Sequence, residues 1–405
     1  MIAEIKPGKG KGIIKAPPSK SMAHRLLIGA GLAEGKSTID GISFSEDIMA
    51  TLDCLSAIGA KYEIDGEKVT VTGADIRNIP EGAVFRCRES GSTLRFFIPL
   101  CLLDGKTFSF TGTEKLLSRP LSVYEDIFEK SGIFFETSAN KITVGGKLQS
   151  GTYEIPGNIS SQFITGLLFV LPLLEKDSMI RLIPPVESRS YIDLTVKALS
   201  AFGTEIKWLD EKTLFIKGGQ KYKAADVKVE GDYSNAAFFA ALNFLGSEIE
   251  ITGLDPKSLQ GDKVYEKYFS LIEKGEKDID ISDCPDLGPV LFAVAAVKGG
   301  GTFCGTKRLK IKESDRAAAM AEELLKFGVP VTVNENSVVV GSADIFAPAE
   351  ILDGHGDHRI VMACAVLLTL TGGKIKGAEA VRKSFPDFFE KLQNLGFEVK
   401  GDISP

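Results

Sequence analysis

Six stretches of this chain share one pattern: a small polar or acidic start, then a long run of apolar and small residues. They are "SKSMAHRLLIGAGL" from Ser19, "SGSTLRFFIPLCLL" from Ser90, "SSQFITGLLFVLPLL" from Ser160, "DYSNAAFFAALNFL" from Asp232, "DLGPVLFAVAAVKG" from Asp286 and "DHRIVMACAVLLTL" from Asp357. Between them, "KVTVTG", "KITVGG", "TLFIKG" and "SVVVGS" alternate with a period of two and predict strands. A second set of helices has apolar residues three and four apart and stops at glycine: "DIMATLDCLSAIG", "LSVYEDIFEKSG", "YIDLTVKALSAFG", "YEKYFSLIEKG", "RAAAMAEELLKFG" and "FPDFFEKLQNLG". The unit is strand–helix–strand–helix–strand–strand, about 65–70 residues long, six times over. A unit that short cannot bury its apolar face alone, so three sharing one core predict two similar α/β domains. A length of 405 residues points the same way.

Composition adds constraints. The apolar fraction of 44% and charged fraction of 25% are those of a soluble globular protein. A net charge of −6 argues against a nucleic-acid or membrane-surface partner, both of which want a basic face. The six cysteines form no CxxC pair and suggest a reduced, cytoplasmic protein without a zinc site. The start, "MIAEIKPGKGKGII", lacks the apolar core of a signal peptide. The longest apolar run, "ITGLLFVLPLL" from Ile164, is too short to span a bilayer.

The starts of the first helices pose a problem. A helix N-terminus is the positive end of its dipole, yet Lys20 and Arg25 stand at the first of them, Arg95 near the second and Arg359 at the last. Cations, serine hydroxyls and free amides at helix starts suit an anion, so several starts aimed at one place predict a strongly anionic small ligand. "KRLKIKESDRAAAM" carries Lys312, Glu313, Asp315 and Arg316; its plain reading is a solvated capping box with Ser314 as N-cap. Asp357, His358 and Arg359 precede an all-apolar helix and need partners or a ligand. Arg382 and Lys383 stand before the last helix, where Lys383 reads equally as an exposed charge. Asp286 is an N-cap if it stands alone and an ionised base if it stands among cations. No nucleophile triad, zinc spacing or phosphate-binding GxxxxGK[ST] loop is present.

The motifs "PSKSMAHR", "GSTLRFF", "NISSQF", "SRSYIDLT", "EGDYSNAAFF", "CPDLGP", "KESDR", "DHRIVMA" and "KSFPDFF" follow in order along nearly the whole chain. In this the sequence resembles the 5-enolpyruvylshikimate-3-phosphate synthase family. The resemblance implies the enolpyruvyl transferase fold: an inverse α/β barrel-like pair of domains, each of three βαβαββ repeats, with a cleft between them. One domain would be residues 1–15 plus 227–405 and the other 16–226. It implies transfer of the enolpyruvyl group of phosphoenolpyruvate to the 5-hydroxyl of shikimate 3-phosphate by addition and elimination, without metal or organic cofactor.

By family position, Asp286, Glu313 and Lys20 would be catalytic. Lys20, Gly91, Arg95, Arg119, Gln162, Arg316, Arg359 and Lys383 would surround phosphoenolpyruvate, and the herbicide glyphosate would compete there. Lys20, Ser21, Arg25, Ser160, Ser161, Gln162, Ser188, Tyr191, Asp286 and Lys312 would hold shikimate 3-phosphate. A cytoplasmic monomer with small-molecule partners is implied. The chain departs from the common family form at Glu89, Ser92 and Leu94, and has Arg308 near where many relatives carry Asn before the Lys-Glu motif. UDP-N-acetylglucosamine enolpyruvyl transferase, the nearest rival, relies on a Cys in a mobile loop that has no counterpart here. RNA 3′-terminal phosphate cyclase and a non-catalytic phospho-ligand binding protein are the more distant alternatives.

Overall fold

Every segment with the first-helix pattern is a helix, and each is buried along most of its length. They are α1 (Lys20–Leu32), α2 (Gly91–Leu100), α3 (Ser161–Val170), α4 (Tyr233–Phe244), α5 (Gly288–Val297) and α6 (His358–Thr371). The computed structural model describes residues 1–276 and 278–401. Five of the six starts are capped by the side chain just before them: Ser19, Ser90, Ser160, Asp232 and Asp357. Each oxygen accepts from a first-turn amide that no helical carbonyl can reach. The second-set helices are Glu46–Ala57, Ser122–Lys130, Arg189–Ser200, Tyr265–Glu273, Arg316–Lys326 and Phe388–Asn394. The glycine that closes each of them has positive φ, between 65° and 94°, the left-handed turn that ends a helix without a Cβ penalty.

The repeat is visible in the strand pairing. In five four-stranded sheets an edge strand runs parallel to its neighbour, and the remaining two pairings are antiparallel. The chain is compact as two units, Met1–Pro17 with Gly231–Pro405, and Pro18–Glu230. Each has its own hydrophobic core. The exchange of strands along the chain explains the discontinuity. Asp226–Lys228 returns to pair with Lys36–Asp40 and completes the first sheet of the second unit. The N-terminal strand Ile2–Ile5 lies between Gly373–Lys376 and Val399–Gly401 in the last sheet of the first unit. Among the described residues no helix is long and apolar enough to cross a membrane.

Close packing of the first helices needs small residues at the crossings. At Gly166 of α3, a methyl would collide with the Arg95 carbonyl of α2 and with the Tyr124 hydroxyl. That hydroxyl donates to the Arg95 carbonyl at 2.6 Å. α1 ends at Leu32, three residues before Gly35, where Ala33–Glu34 leaves the helix to pair with Tyr222–Lys223.

Candidate functional site

In the second unit, the starts of α1, α2 and α3 are tied together by polar side chains. The Arg25 guanidinium of α1 is buried and donates to Thr195 Oγ1 (2.8 Å), the Ser21 carbonyl (2.6 Å), the Tyr191 carbonyl (3.2 Å) and Thr165 Oγ1 of α3 (3.4 Å). Burial lowers its pKa to about 10, and it stays charged at neutral pH. Lys20 pairs with Asp47 at 2.8 Å. Arg95 of α2 donates to Gln162 Oε1 of α3 at 2.7 Å, and the Gln162 amide donates to Ser92 Oγ at 2.9 Å. Ser160 caps α3 by accepting from the backbone N–H of Gln162 at 3.3 Å, and Ser161 follows it. Ser188, in a left-handed conformation with φ of 55°, leads into Arg189–Ser200, which carries Tyr191.

Arg119 completes this cluster. Its Nε and Nη2 are buried with no acceptor among the described residues. Buried guanidinium donors without a protein acceptor are costly unless a ligand supplies one. A Cβ on Gly91 would lie 2.9 Å from Arg119 Nη1 and 3.2 Å from Arg95 Nη1. Glycine therefore lets two guanidinium ends gather at the start of α2. Behind them a buried chain runs from His24 Nδ1 to Thr51 (2.7 Å), on to Thr93 (2.8 Å) and to Ser90 (2.8 Å). Burial pushes the His24 imidazole down to about 3, so it adds no charge at neutral pH.

In the first unit, the starts of α4, α5 and α6 converge on two carboxylates. Asp286 Oδ1 is 2.8 Å from Arg316 Nη1 and 3.2 Å from Lys312 Nζ, and Oδ2 is 3.1 Å from Arg359 Nη2. The same Arg359 nitrogen donates to Ser234 Oγ of α4 at 2.9 Å. Burial pushes the Asp286 carboxyl up, but Arg359, Lys312 and Arg316 outweigh it and hold it well below the usual carboxylate range. Asp357 is fully buried and accepts from Arg316 Nε (2.8 Å), Ser314 Oγ (3.1 Å) and the Arg359 backbone (2.9 Å). Burial pushes its pKa up, but the charge and hydrogen bond of Arg316, with the His358 beside it, together outweigh burial, and it too is held low. Glu313 Oε2 is 2.8 Å from His358 Nδ1, and Oε1 is 3.8 Å from Arg316. Lys383 is buried and donates to the Gly356 carbonyl at 2.7 Å.

One expectation from the sequence changes here, and two open alternatives are decided. Ser314 is not the N-cap of its helix: Asp315 is, accepting from Ala318 N at 3.1 Å. The Ser314 hydroxyl instead donates to Asp357, and the capping position three residues on, Ala317, has only a methyl group and cannot return the bond. Asp286 is not a cap either. It lies in the 3₁₀ turn Pro285–Leu287 ahead of α5, and its oxygens are taken by cations. The Lys383 alternative of an exposed charge also gives way, since the side chain is 8% exposed.

Asp47, Thr165 and Thr195 are not singled out by the sequence, and Asp357 and His358 are marked there only as needing partners or a ligand. Asp47 looks like an ordinary first-turn acid, and the threonines look like core spacers. Glu313, Asp357 and His358 bring ligand-type atoms within 4.8 Å of one another. Arg316 already supplies the positive charge that these carboxylates need.

Comparison with known proteins agrees with the motif order. The profile of the family described as EPSP synthase (3-phosphoshikimate 1-carboxyvinyltransferase) matches residues 5–392. A 3-phosphoshikimate 1-carboxyvinyltransferase of Clostridium kluyveri is 41% identical, covering 98% of this chain and 97% of its own. One from Clostridium perfringens is 40% identical over 98% of this chain and 99% of its own. Among solved structures, EPSP synthase from Acinetobacter baumannii aligns with a TM-score of 0.80 at 24% identity, over 99% of this chain and 100% of that one. The enolpyruvyl transferase NikO from Streptomyces tendae aligns with a TM-score of 0.78 at 14% identity, over 98% of both chains. At those identities the two structures speak for the fold.

Proposed function

Since the chain belongs to the EPSP synthase family, we infer that it transfers the enolpyruvyl group of phosphoenolpyruvate to the 5-hydroxyl of shikimate 3-phosphate, releasing phosphate. This step serves aromatic amino acid biosynthesis. The observation that carries the residue roles is Asp286, a carboxylate kept ionised by three cations. An ionised carboxylate among cations can accept the hydroxyl proton as the oxygen attacks C2 of the donor. Glu313, hydrogen-bonded to His358, delivers a proton to the methylene carbon in the addition step. In the elimination step it removes a proton from the resulting methyl group as the C–O bond to phosphate breaks, and Asp286 returns the hydroxyl proton to the departing phosphate. Lys20 contacts the hydroxyl and the donor.

The donor's phosphate and carboxylate are assigned to Arg119, Arg316, Arg359, Lys383 and Lys20, with Arg95 and Gln162 beside Gly91. The buried Arg119 donors and the Gly91 clearance support this assignment. Shikimate 3-phosphate is assigned to Lys20, Ser21, Arg25, Ser160, Ser161, Gln162, Ser188, Tyr191, Asp286 and Lys312. Four of Arg25's five N–H groups already have protein acceptors, so its main work is to hold α1, α3 and Tyr191 in register.

Turnover in deuterium oxide tests the addition–elimination course. A methyl group formed in addition mixes solvent deuterium with the original hydrogens, so the product methylene acquires deuterium. A deuterium-free product contradicts the scheme.

Glyphosate carries a phosphonate and a carboxylate, and it is assigned to the donor's cations. Gly91→Ala puts a methyl against the Nη1 atoms of Arg119 and Arg95. Overpacking of this size costs about 1–3 kcal/mol where neighbours cannot yield. Both neighbours are flexible ends, so the displaced cations move and the longer inhibitor loses more than the shorter donor. Competition kinetics should show the glyphosate Ki rising by a larger factor than the phosphoenolpyruvate KM. Equal losses contradict the placement of Gly91.

The acidic net charge and absence of CxxC pairs support a cytoplasmic enzyme without nucleic-acid or membrane partners. It is assigned as a monomer that needs no metal or organic cofactor. Sedimentation at the mass of one chain and full activity in excess chelator are expected; a dimer or chelator-sensitive turnover contradicts these assignments.

A further inference from the structure

Another buried carboxylate, away from Asp286 and Asp357, organises the turn that leads into α6. Glu323, on the helix Arg316–Lys326, is fully buried. It accepts from Lys326 Nζ on both oxygens (2.9 and 3.0 Å) and from the backbone N–H of Asp353 (3.0 Å), and its Oε1 lies 2.9 Å from His355 Nε2. His355 is one of three described residues other than glycine with positive φ, at 50°, and Gly356 follows at 61°. A side chain in the left-handed region persists where its surroundings over-determine it. Here the His355 N–H donates to Asp353 Oδ1 at 2.7 Å while the ring meets Glu323. The turn is further fixed by Gly354 N–H to the Lys376 carbonyl (2.9 Å) and Asp357 N–H to the Gly354 carbonyl (2.8 Å).

What the turn delivers is specific. Its Gly356 carbonyl receives Lys383 Nζ, and the next residue, Asp357, caps α6 through Arg359 N–H and grips Arg316. We propose that His355 is a positioning residue: its bond to Glu323 holds this turn so that Lys383 and Arg359 meet the anionic donor. The inference rests on the assignment of those two cations to phosphoenolpyruvate.

The charged groups around His355 are Glu322 at 4.0 Å, Glu323 and Lys326 on the facing helix, and Asp353 on its own segment, with Lys376 3.0 Å from Asp353. Glu350 acts on Lys326, and Asp357 and His358 follow in the chain. The bond to Glu323 raises the His355 pKa above its ordinary 6.5, against the opposing effect of burial. The paired form is the protonated one. Its contribution is complete below the unfolded value and is lost as pH rises through the raised folded value. Donor affinity should weaken on that alkaline limb.

The test is His355→Asn, which tolerates left-handed backbone but drops the ring and its charge. Misplacing the donor's cations should raise the phosphoenolpyruvate KM about fivefold to twentyfold. The shikimate 3-phosphate KM should stay within about twofold and kcat within about threefold. The alkaline rise in donor KM shown by the native enzyme should be absent from the variant. An unchanged donor KM and pH profile overturns the proposal. So does a parallel rise in both KM values with a lowered melting temperature, which would mark a general loss of structure. Lys383→Met serves as the control. If it raises the donor KM and His355→Asn does not, the positioning role alone fails. If Lys383→Met leaves the donor KM unchanged, the donor assignment fails and takes the positioning role with it.

Discussion

Asp286→Asn should cut kcat by about a hundredfold or more, while shikimate 3-phosphate binding weakens by no more than about tenfold. The reason lies in the charge of one atom pair. Arg316, Lys312 and Arg359 reach Asp286 at 2.8, 3.2 and 3.1 Å and keep it ionised. The amide has almost the same shape and still accepts through its oxygen, but it cannot take a proton from the attacking hydroxyl. Glu313→Gln should lose a comparable factor in turnover, since its exchange of the methylene proton ends while the contact with His358 can persist. Rapid-mixing kinetics with calorimetric binding of shikimate 3-phosphate separates the two effects. Near-native turnover by both variants would remove this acid/base pair from the mechanism.

Asp357→Ala should give the largest stability loss, about 3–5 kcal/mol, the range for breaking a buried ion pair by removing one partner. The carboxylate is wholly buried, caps α6 and meets Arg316 through both oxygens (2.8 and 3.3 Å). Without it Arg316, 2% exposed, keeps among the described residues only Asp286 and the more distant Glu313 as counter-charges. The pH dependence has a definite sign. Asp357 is held below its ordinary 3.8, so its contribution is complete above that value and is lost as pH falls through the lower folded value. Urea unfolding should show the full gap between native and variant near neutrality, closing only below about pH 3.8. A gap that is absent at pH 7, or that closes well above pH 4, contradicts the assigned ion pair.

The repeat was legible because it rests on local rules. Apolar runs of helical length, two-residue alternation and a glycine after each second helix each have a backbone cause, and the six glycines do adopt the left-handed turn. The convergence of charged helix starts was legible as a conflict, since cations at the positive end of a dipole need an explanation. Partnerships between distant residues left no such trace. Nothing near Asp47 in the sequence points 27 residues back to Lys20. Thr165 and Thr195 read as core spacers until Arg25 is seen donating to both. Ser314 looks like a cap in the sequence, but a bond spanning 43 residues, to Asp357, outweighs the local one. The Glu323–His355 pair is hidden for the same reason: its members are 32 residues apart, and each alone looks like a surface charge.

Inorganic phosphate release measures the central claim most directly. The purified chain is given phosphoenolpyruvate with shikimate 3-phosphate, with UDP-N-acetylglucosamine, or with neither. Phosphate should appear only with shikimate 3-phosphate, one equivalent for each enolpyruvyl group transferred. Release with UDP-N-acetylglucosamine instead, or tight binding of shikimate 3-phosphate with no release at all, would contradict the account.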